Sequence, residues 1–497
     1  MHGQYSNTRI DFSSSSAYDF ATNIIQENNN SYLIGGACGN KINPTLRATW
    51  LARLDSNGII VDTLRISDSI SEYTFGYPGA LSLLDNGMIA MSGYRTYYSP
   101  STYYQAFLII IDTDFNIVHK FEFGDQTPNH DTVYYFSGHS QTPDGGFVLV
   151  GLKYCSTVGY GCIIKIDSSG SKVWERNYGP GYSVFTHLLS VQMMGDSTYI
   201  VGGSKYNPAY IQSIDPVVLS IGRDGQLNWQ YVAYGQFADS YASIQVIDDT
   251  TINICFAYGK AMSGINDAYK VIKLMELDNL GQVRWMREYA TATYNREVLS
   301  FTVRRNGNIL LAGYTANPYP HRLGYLLETT SDGDSIWYRE YEYLSGTHSR
   351  NYLWGVIEDA ENNIIAIGEV RPQPPDTGSQ DSWIVRLDSI GCLYQYCDTV
   401  ITSSGHMNEG ISPLIYPNPT SKTARINLTT FYPPGDLIDI AVFNSVGLLA
   451  RKFKKRNTGE PMEIDLYDLS AGLYIVKVSD ESGKSYHTKL LLRASSK

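Results

Sequence analysis

The sequence predicts an all-β chain: a seven-bladed β-propeller over residues 1–400, a linker at 401–410 and a small Ig-like β-sandwich over 411–497. Three observations predict it. An apolar run closing on glycine recurs seven times, an aspartate-bearing turn follows each run at a near-constant offset, and the pattern changes abruptly after Gly391.

The apolar runs close at Gly36, Gly93, Gly151, Gly203, Gly259, Gly313 and Gly368, in steps of 57, 58, 52, 56, 54 and 55 residues. The following turns fall at Gly58, Phe115, Gly170, Gly225, Gly281, Gly333 and Gly391, 19 to 23 residues further on. Self-similarity at this period marks a repeat architecture. Each copy reads as four strands. In the third copy these are FSGHSQT, GFVLVGLKY, CIIKIDS and SKVWERNYG. The second is a continuous apolar run, as a strand buried on both faces requires. The third ends in Asp-x-x-Gly, where the carboxylate caps the turn and glycine supplies a positive φ. The fourth carries Trp174, Trp229, Trp285 or Trp337 in four copies, expected to pack between neighbouring sheets. Four-stranded units of this length, seven in number, specify a propeller. Tyr5 to Phe12 reads as a detached fourth strand that closes the last blade, leaving no free sheet edge.

Charge and composition narrow the function. The chain carries −11 overall, which excludes the basic face that nucleic acid demands. Residues 411–497 hold 12 Lys+Arg against 8 Asp+Glu, while the rest holds 26 against 41, so an acidic body meets a mildly basic tail. No apolar run is long enough for a transmembrane helix. The start, Met1-His2-Gly3-Gln4-Tyr5, shows no apolar segment of a signal peptide. Of six cysteines, Cys155/Cys162 and Cys392/Cys397 lie close in sequence and are expected to form local disulfides. No CxxC or neighbouring histidine suggests zinc, and no motif calls for another metal or a cofactor.

No catalytic motif is present: HExxH, the P-loop, GxSxG and the EF-hand loop are all missing. Asp112 and Asp114 occupy the same turn as Asp55 and Asp167, which makes them turn residues rather than cation ligands. The second-to-third-strand loops are long and variable, and loops that elaborate one face of a rigid scaffold carry binding sites. They are rich in tyrosine: Tyr94, Tyr97, Tyr98, Tyr103, Tyr104, Tyr206, Tyr210, Tyr314 and Tyr319. These are the candidate binding residues, for an extracellular glycan or protein. The alternative is a hydrolase or lyase acting on polysaccharide in the central funnel, which would need acidic or His side chains clustered inward at one end.

Two resemblances follow. The pattern DGG-apolar-G through KIDSSGxxWxxxYG, at residues 144–178, resembles secreted propeller repeats of Bacteroidetes-type bacteria. The tail resembles the C-terminal sorting domain of type IX secretion cargo, through Tyr416-Pro417-Asn418-Pro419, the FNSVG turn ending at Gly447, the DLSAGLY segment around Gly472 and Tyr474, and the closing strand Lys489 to Arg493. The second resemblance implies export to the surface or medium, with the type IX machinery as partner.

Overall fold

In the computed structural model the chain divides into two compact units, Met1–Leu393 and Tyr394–Lys497. The structure describes residues 6–393 except 13–17, 30, 41, 44, 99–101, 125–131, 156–157, 183–185, 208, 210–213, 238, 262–267, 290–294, 317–320, 347 and 374–377. It describes 414–492 except 417–419, 421, 429–430, 445–448, 471 and 481–484.

The first unit is a seven-bladed propeller. Blades 1 to 6 follow one another along the chain, each a meander of antiparallel strands. Blade 1 shows the plan: Phe20–Asn28, Ser31–Gly39, Arg47–Asp55 and Ile60–Ile66. Blade 2 splits its first strand into Ser71–Phe75 and Leu81–Leu83, both paired with Ile89–Tyr97. Blade 7 consists of Arg350–Glu358, Ile364–Arg371 and Asp381–Leu387, and its fourth strand is Ser6–Ile10 from the start of the chain. The register runs antiparallel from Ser6↔Arg386 to Ile10↔Ser382, so the two ends of the repeat array share one sheet. A single parallel bridge, Arg322↔Arg350, links blades 6 and 7.

The recurring glycine has a steric cause. The first strand carries a bulge in blades 1, 3, 4, 6 and 7 and is interrupted in blade 2, and the carbonyl before that irregularity lies against the second strand. A Cβ on Gly36 would stand 1.8 Å from Phe20 O, on Gly151 1.9 Å from Tyr135 O, and on Gly368 1.8 Å from Tyr352 O. Gly93, Gly203 and Gly313 meet Thr74 O, His187 O and Glu297 O at 2.2, 2.3 and 1.9 Å. No side chain fits there. The fifth copy departs from the sequence expectation. Ser243↔Cys255 sets its register, so Phe256 holds the equivalent position and Gly259 lies beyond it. Gly259 instead donates its N–H to Asp239 Oδ1 at 2.6 Å.

Apolar clusters sit between consecutive sheets. Val150, Leu188, Val201 and Leu219 join blades 3 and 4, and Ile34, Trp50, Ile367 and Ile384 join blades 1 and 7. The fourth-strand tryptophans lock the outer rim, as the sequence suggested. Trp174 and Trp229 donate Nε1–H to Arg223 O and Asn279 O of the next blade, both at 2.8 Å. Tyr178 and Tyr341 hydroxyls reach Gly225 O and Gly391 O at 2.7 Å. The Asp turns also match: Asp112 Oδ1 accepts from the N–H groups of Asp114 and Asn116, and Phe115 takes φ 61°.

The cysteine expectation needs correction in part. Cys155 and Cys162 are both free. Cys155 faces Val158 while Cys162 faces Gly151, which offsets them by about 13 Å along the ladder, far beyond disulfide reach. Cys392 is disulfide-bonded, and its expected partner Cys397 lies outside the described residues.

The second unit is a small sandwich. Leu414–Tyr416, Thr423–Asn427 and Met462–Asp465 form one sheet. Leu449–Arg456, Leu437–Asn444, Gly472–Ser479 and Ser485–Leu492 form the other. Ile415, Ile426, Ile440, Val442, Ile464, Val476 and Leu490 fill its core.

Adding one methyl at the bulge contact should separate the first two strands of a blade. Gly368→Ala is expected to cost roughly 1–3 kcal/mol by chemical denaturation, the ordinary penalty of overpacking. Wild-type stability in that variant would contradict the steric account.

Candidate functional site

The first strands of the seven blades surround a central channel with a cavity toward each end. Where these strands finish, residues of all seven blades enclose about 710 Å³. Its lining mixes neutral polar side chains, among them Asn23, Ser82, His139, Gln192, Gln245 and Ser300, with apolar ones such as Ile24, Val191 and Ile357. His139 is buried between Ser82 Oγ at 2.8 Å and Ser92 Oγ at 2.9 Å, and burial pushes its pKa down to about 3. The carboxylates on this lining, Asp85 and Asp196, are exposed.

Where the first strands begin, a smaller mouth of about 310 Å³ is markedly aromatic. Tyr77, Tyr94, Tyr135 and Trp354 line it, together with His187, Arg47, Arg371 and Glu369. Tyr94 and Tyr135 meet edge to face at 4.9 Å. Tyr104 lies 4.8 Å from Tyr135, and Tyr154 closes the group at 5.8 Å. These separations suit favourable ring contacts between blades 2 and 3. Burial raises the Tyr94 and Tyr135 hydroxyls above their ordinary range, so both remain neutral donors. His187 hydrogen-bonds Ser137 Oγ at 2.8 Å, and burial lowers it to about 4. Glu369 is buried and committed to Arg371 at 2.9 Å and to the Gln380 amide. Burial raises its pKa.

The structure divides the candidate tyrosines. Register decides the division: Thr96↔Tyr104 and Tyr94↔Ala106 put Tyr94 and Tyr104 on one face of blade 2, toward the mouth group. Tyr97 and Tyr103 pair directly on the opposite face and stack at 4.2 Å. There Arg95 lies 4.6 Å over Tyr97, held by Glu122 at 2.7 Å and by Asp68. Tyr98 is exposed and donates to Glu72, which also pairs with Arg47 at 2.9 Å. Tyr314 belongs to a separate group, 4.6 Å from Tyr352, with Arg322 4.9 Å above its ring. Tyr206 ends its strand opposite Ile214. Tyr210 and Tyr319 lie outside the described residues.

Sequence reading missed Tyr77, Tyr135, Tyr154 and Trp354. They belong to first strands, to the segment just after one, or to the end of a second strand, not to the elaborated loops, and only the ring closure brings them together. In the tail, Tyr416 is exposed, Gly472 opens a strand and Tyr474 is buried with its hydroxyl on Ser470 O at 2.9 Å. Pro417, Asn418, Pro419 and Gly447 lie outside the described residues.

The two histidines make stability pH-dependent. Their folded pKa values lie below the ordinary 6.5, so the unfolded chain takes up their protons first. The propeller is expected to lose stability as pH falls from about 6.5 toward 3, and His139→Gln should flatten part of that slope in denaturant melts. An unchanged slope would show that His139 does not titrate this way.

Residues 414–493 match a family described as the secretion system C-terminal sorting domain. No curated protein matches the chain in sequence. Among solved structures, the extracellular domain assigned to a hybrid two-component system of B. thetaiotaomicron aligns with 12% identity and a TM-score of 0.44, over 99% of this chain and 59% of that one. This chain therefore spans less than two thirds of that domain. The α-L-arabinanase of Penicillium chrysogenum, solved with arabinobiose, aligns with 10% identity and a TM-score of 0.37, over 66% of this chain and 99% of that one. The polysaccharide lyase Uly1 aligns with 9% identity and a TM-score of 0.43, over 75% and 90%. Likeness this distant bears on neither ligand nor activity. The tail is closer: residues 414–493 are a type IX sorting domain, and the chain that carries it is a propeller exported to the cell surface or the medium.

Proposed function

We propose that the propeller is a non-catalytic binding module and that its aromatic mouth takes a chain of an extracellular glycan. The observation that carries this reading is the Tyr94–Tyr104–Tyr135 group beside the channel mouth. Sugars present apolar C–H faces and a rim of hydroxyls. Tyrosine offers a stiff ring for the first and a neutral hydroxyl for the second, at low entropic cost. Arg47, half-exposed, adds a charged donor at the rim.

Hydrolysis of a glycosidic bond ordinarily requires two carboxyl groups flanking it, one of them with a raised pKa. Among the described residues lining the two cavities, the carboxylates are Asp85, Asp196 and Glu369. The first two lie exposed in the far cavity, and Glu369 is engaged by Arg371 and Gln380. That distribution favours binding over catalysis.

Affinity electrophoresis in gels containing xylan, arabinan, mannan or laminarin tests the proposal. At least one polysaccharide should retard the full chain. Tyr94→Ala and Tyr135→Ala should each weaken retardation by roughly tenfold, the scale of losing an aromatic anchor. Tyr97→Ala and Tyr103→Ala, on the other face of blade 2, should leave it unchanged. Failure of all four polysaccharides, or equal losses from both pairs, would sink the glycan reading.

Export has its own test. Removing residues 411–497 should leave the propeller in the periplasm, measured by fractionation and immunoblotting. Normal surface display or release of the truncated chain would show that the tail does not direct it.

A further inference from the structure

The aromatic group at the seam of blades 2 and 3 has a positional counterpart at the seam of blades 6 and 7. Tyr94 and Tyr314 each follow a repeat glycine, Gly93 and Gly313. Tyr135 and Tyr352 each supply the first-strand carbonyl that lies against the next repeat glycine, Gly151 and Gly368. Thr96↔Tyr104 in blade 2 corresponds to Ala316↔Arg322 in blade 6, so Arg322 stands where Tyr104 does. Val133↔Tyr154 in blade 3 corresponds to Arg350↔Arg371 in blade 7, so Arg371 stands where Tyr154 does. The packing repeats with the positions. Tyr314 meets Tyr352 edge to face at 4.6 Å, as Tyr94 meets Tyr135 at 4.9 Å. Arg322 and Arg371 lie 5.4 and 5.6 Å from the Tyr352 ring, where Tyr104 and Tyr154 lie 4.8 and 5.8 Å from Tyr135. The second group is the first with two tyrosines exchanged for arginines.

A third arginine joins it. Arg350 opens the first strand of blade 7 and pairs in register with both Arg322 and Arg371. Residues opposite one another share a face of the sheet, and like charges so placed repel. The nearby carboxylates are committed. Glu369, facing Tyr352, pairs with Arg371 at 2.9 Å and accepts from the Gln380 amide. Glu297, facing Tyr314, pairs with Lys270. Glu342 lies 3.5 Å from His321 Nε2. Among the described residues Arg322 and Arg350 form no ion pair; Arg322 Nη1 donates to the Tyr352 hydroxyl at 2.6 Å. The Nε of each is buried without a hydrogen-bond partner. This is a local excess of positive charge on an acidic body. Arg371 lines the same mouth cavity as Tyr94 and Tyr135.

We propose that the row Arg322–Arg350–Arg371 is a second subsite of the mouth and takes an anionic substituent, carboxylate or sulfate, of an acidic polysaccharide. The inference rests on the glycan reading of the mouth. A guanidinium fork matches either oxyanion. The Tyr314 and Tyr352 rings hold the arginines in place through cation–π contact. The two seams lie four blades apart in a ring of seven, across the mouth from each other, so one sugar chain crossing it meets rings on one side and arginines on the other.

Biolayer interferometry with the full-length chain tests this, using two matched pairs of immobilised polymers: polygalacturonate with its methyl ester, and κ-carrageenan with its desulfated form. At least one charged polymer should bind roughly tenfold tighter than its neutral partner, by an advantage that shrinks as salt rises. Preference within the first pair assigns a carboxylate, within the second a sulfate. Arg322→Gln and Arg350→Gln should each weaken the charged polymer by roughly tenfold, the scale of one charge-assisted hydrogen bond, and leave the neutral polysaccharide held by the mouth unaffected. Arg322→Lys, which keeps the charge without the fork, should fall between. Tyr94→Ala should weaken charged and neutral polymers alike. Equal affinity for charged and neutral forms would overturn this inference and spare the glycan reading. A charge preference that persists in both Gln variants would overturn it by placing the anion elsewhere. Equal losses on charged and neutral polymers in the Gln variants would assign the arginines to the fold. Absence of binding to every polysaccharide would overturn both readings.

Discussion

The propeller depends on one close approach, repeated in six of its seven blades, between a carbonyl of the first strand and the second strand beside it. In six blades the contact leaves no volume for a Cβ, which is why glycine recurs. A bulge adds local twist to its strand. Bulges at one depth in blades 1, 3, 4, 6 and 7, and a break in the first strand of blade 2, bend these strands alike around the channel. The channel lining and the mouth both follow from that repeated bend. Blade 5 shows that the device tolerates an exception, since Phe256 occupies the position and the following hairpin is longer.

Much of this fold was legible in the sequence because its devices are local. The glycine contact, the Asp-capped turn and the tryptophan of the rim each fall at a fixed offset in every copy that has them. Even the detached closing strand could be read, since Ser6–Ile10 resembles a fourth strand with no sheet of its own. Blade 5 was misread by three residues because Gly259 looks like the anchor, although its amide serves Asp239 instead. The Cys155/Cys162 pairing failed for a related reason. Proximity along the chain says nothing of register, and the hairpin between them sets the two thiols four positions apart.

The candidate site was less legible. Tyr94 and Tyr97 look alike in sequence, yet strand alternation sends them to opposite faces, where one joins a ring cluster and the other stacks under an arginine. Tyr135 and Trp354 carry no local mark at all. They come from blades 3 and 7, and only closure of the ring puts them on one cavity. A sequence repeat marks what the blades share, whereas a binding mouth is made of what they do not share.

The seam of blades 7 and 1 carries a consequence for biogenesis. Arg9 and Asp381 are separated by 372 residues, so ring closure is the most non-local event in this unit and the costliest in chain entropy. The sorting domain begins after that last strand. A chain that presents its tail to the export machinery has therefore already been synthesised with both halves of the seam. The order of elements along the polypeptide makes the address label of this protein a certificate that its ring can be completed.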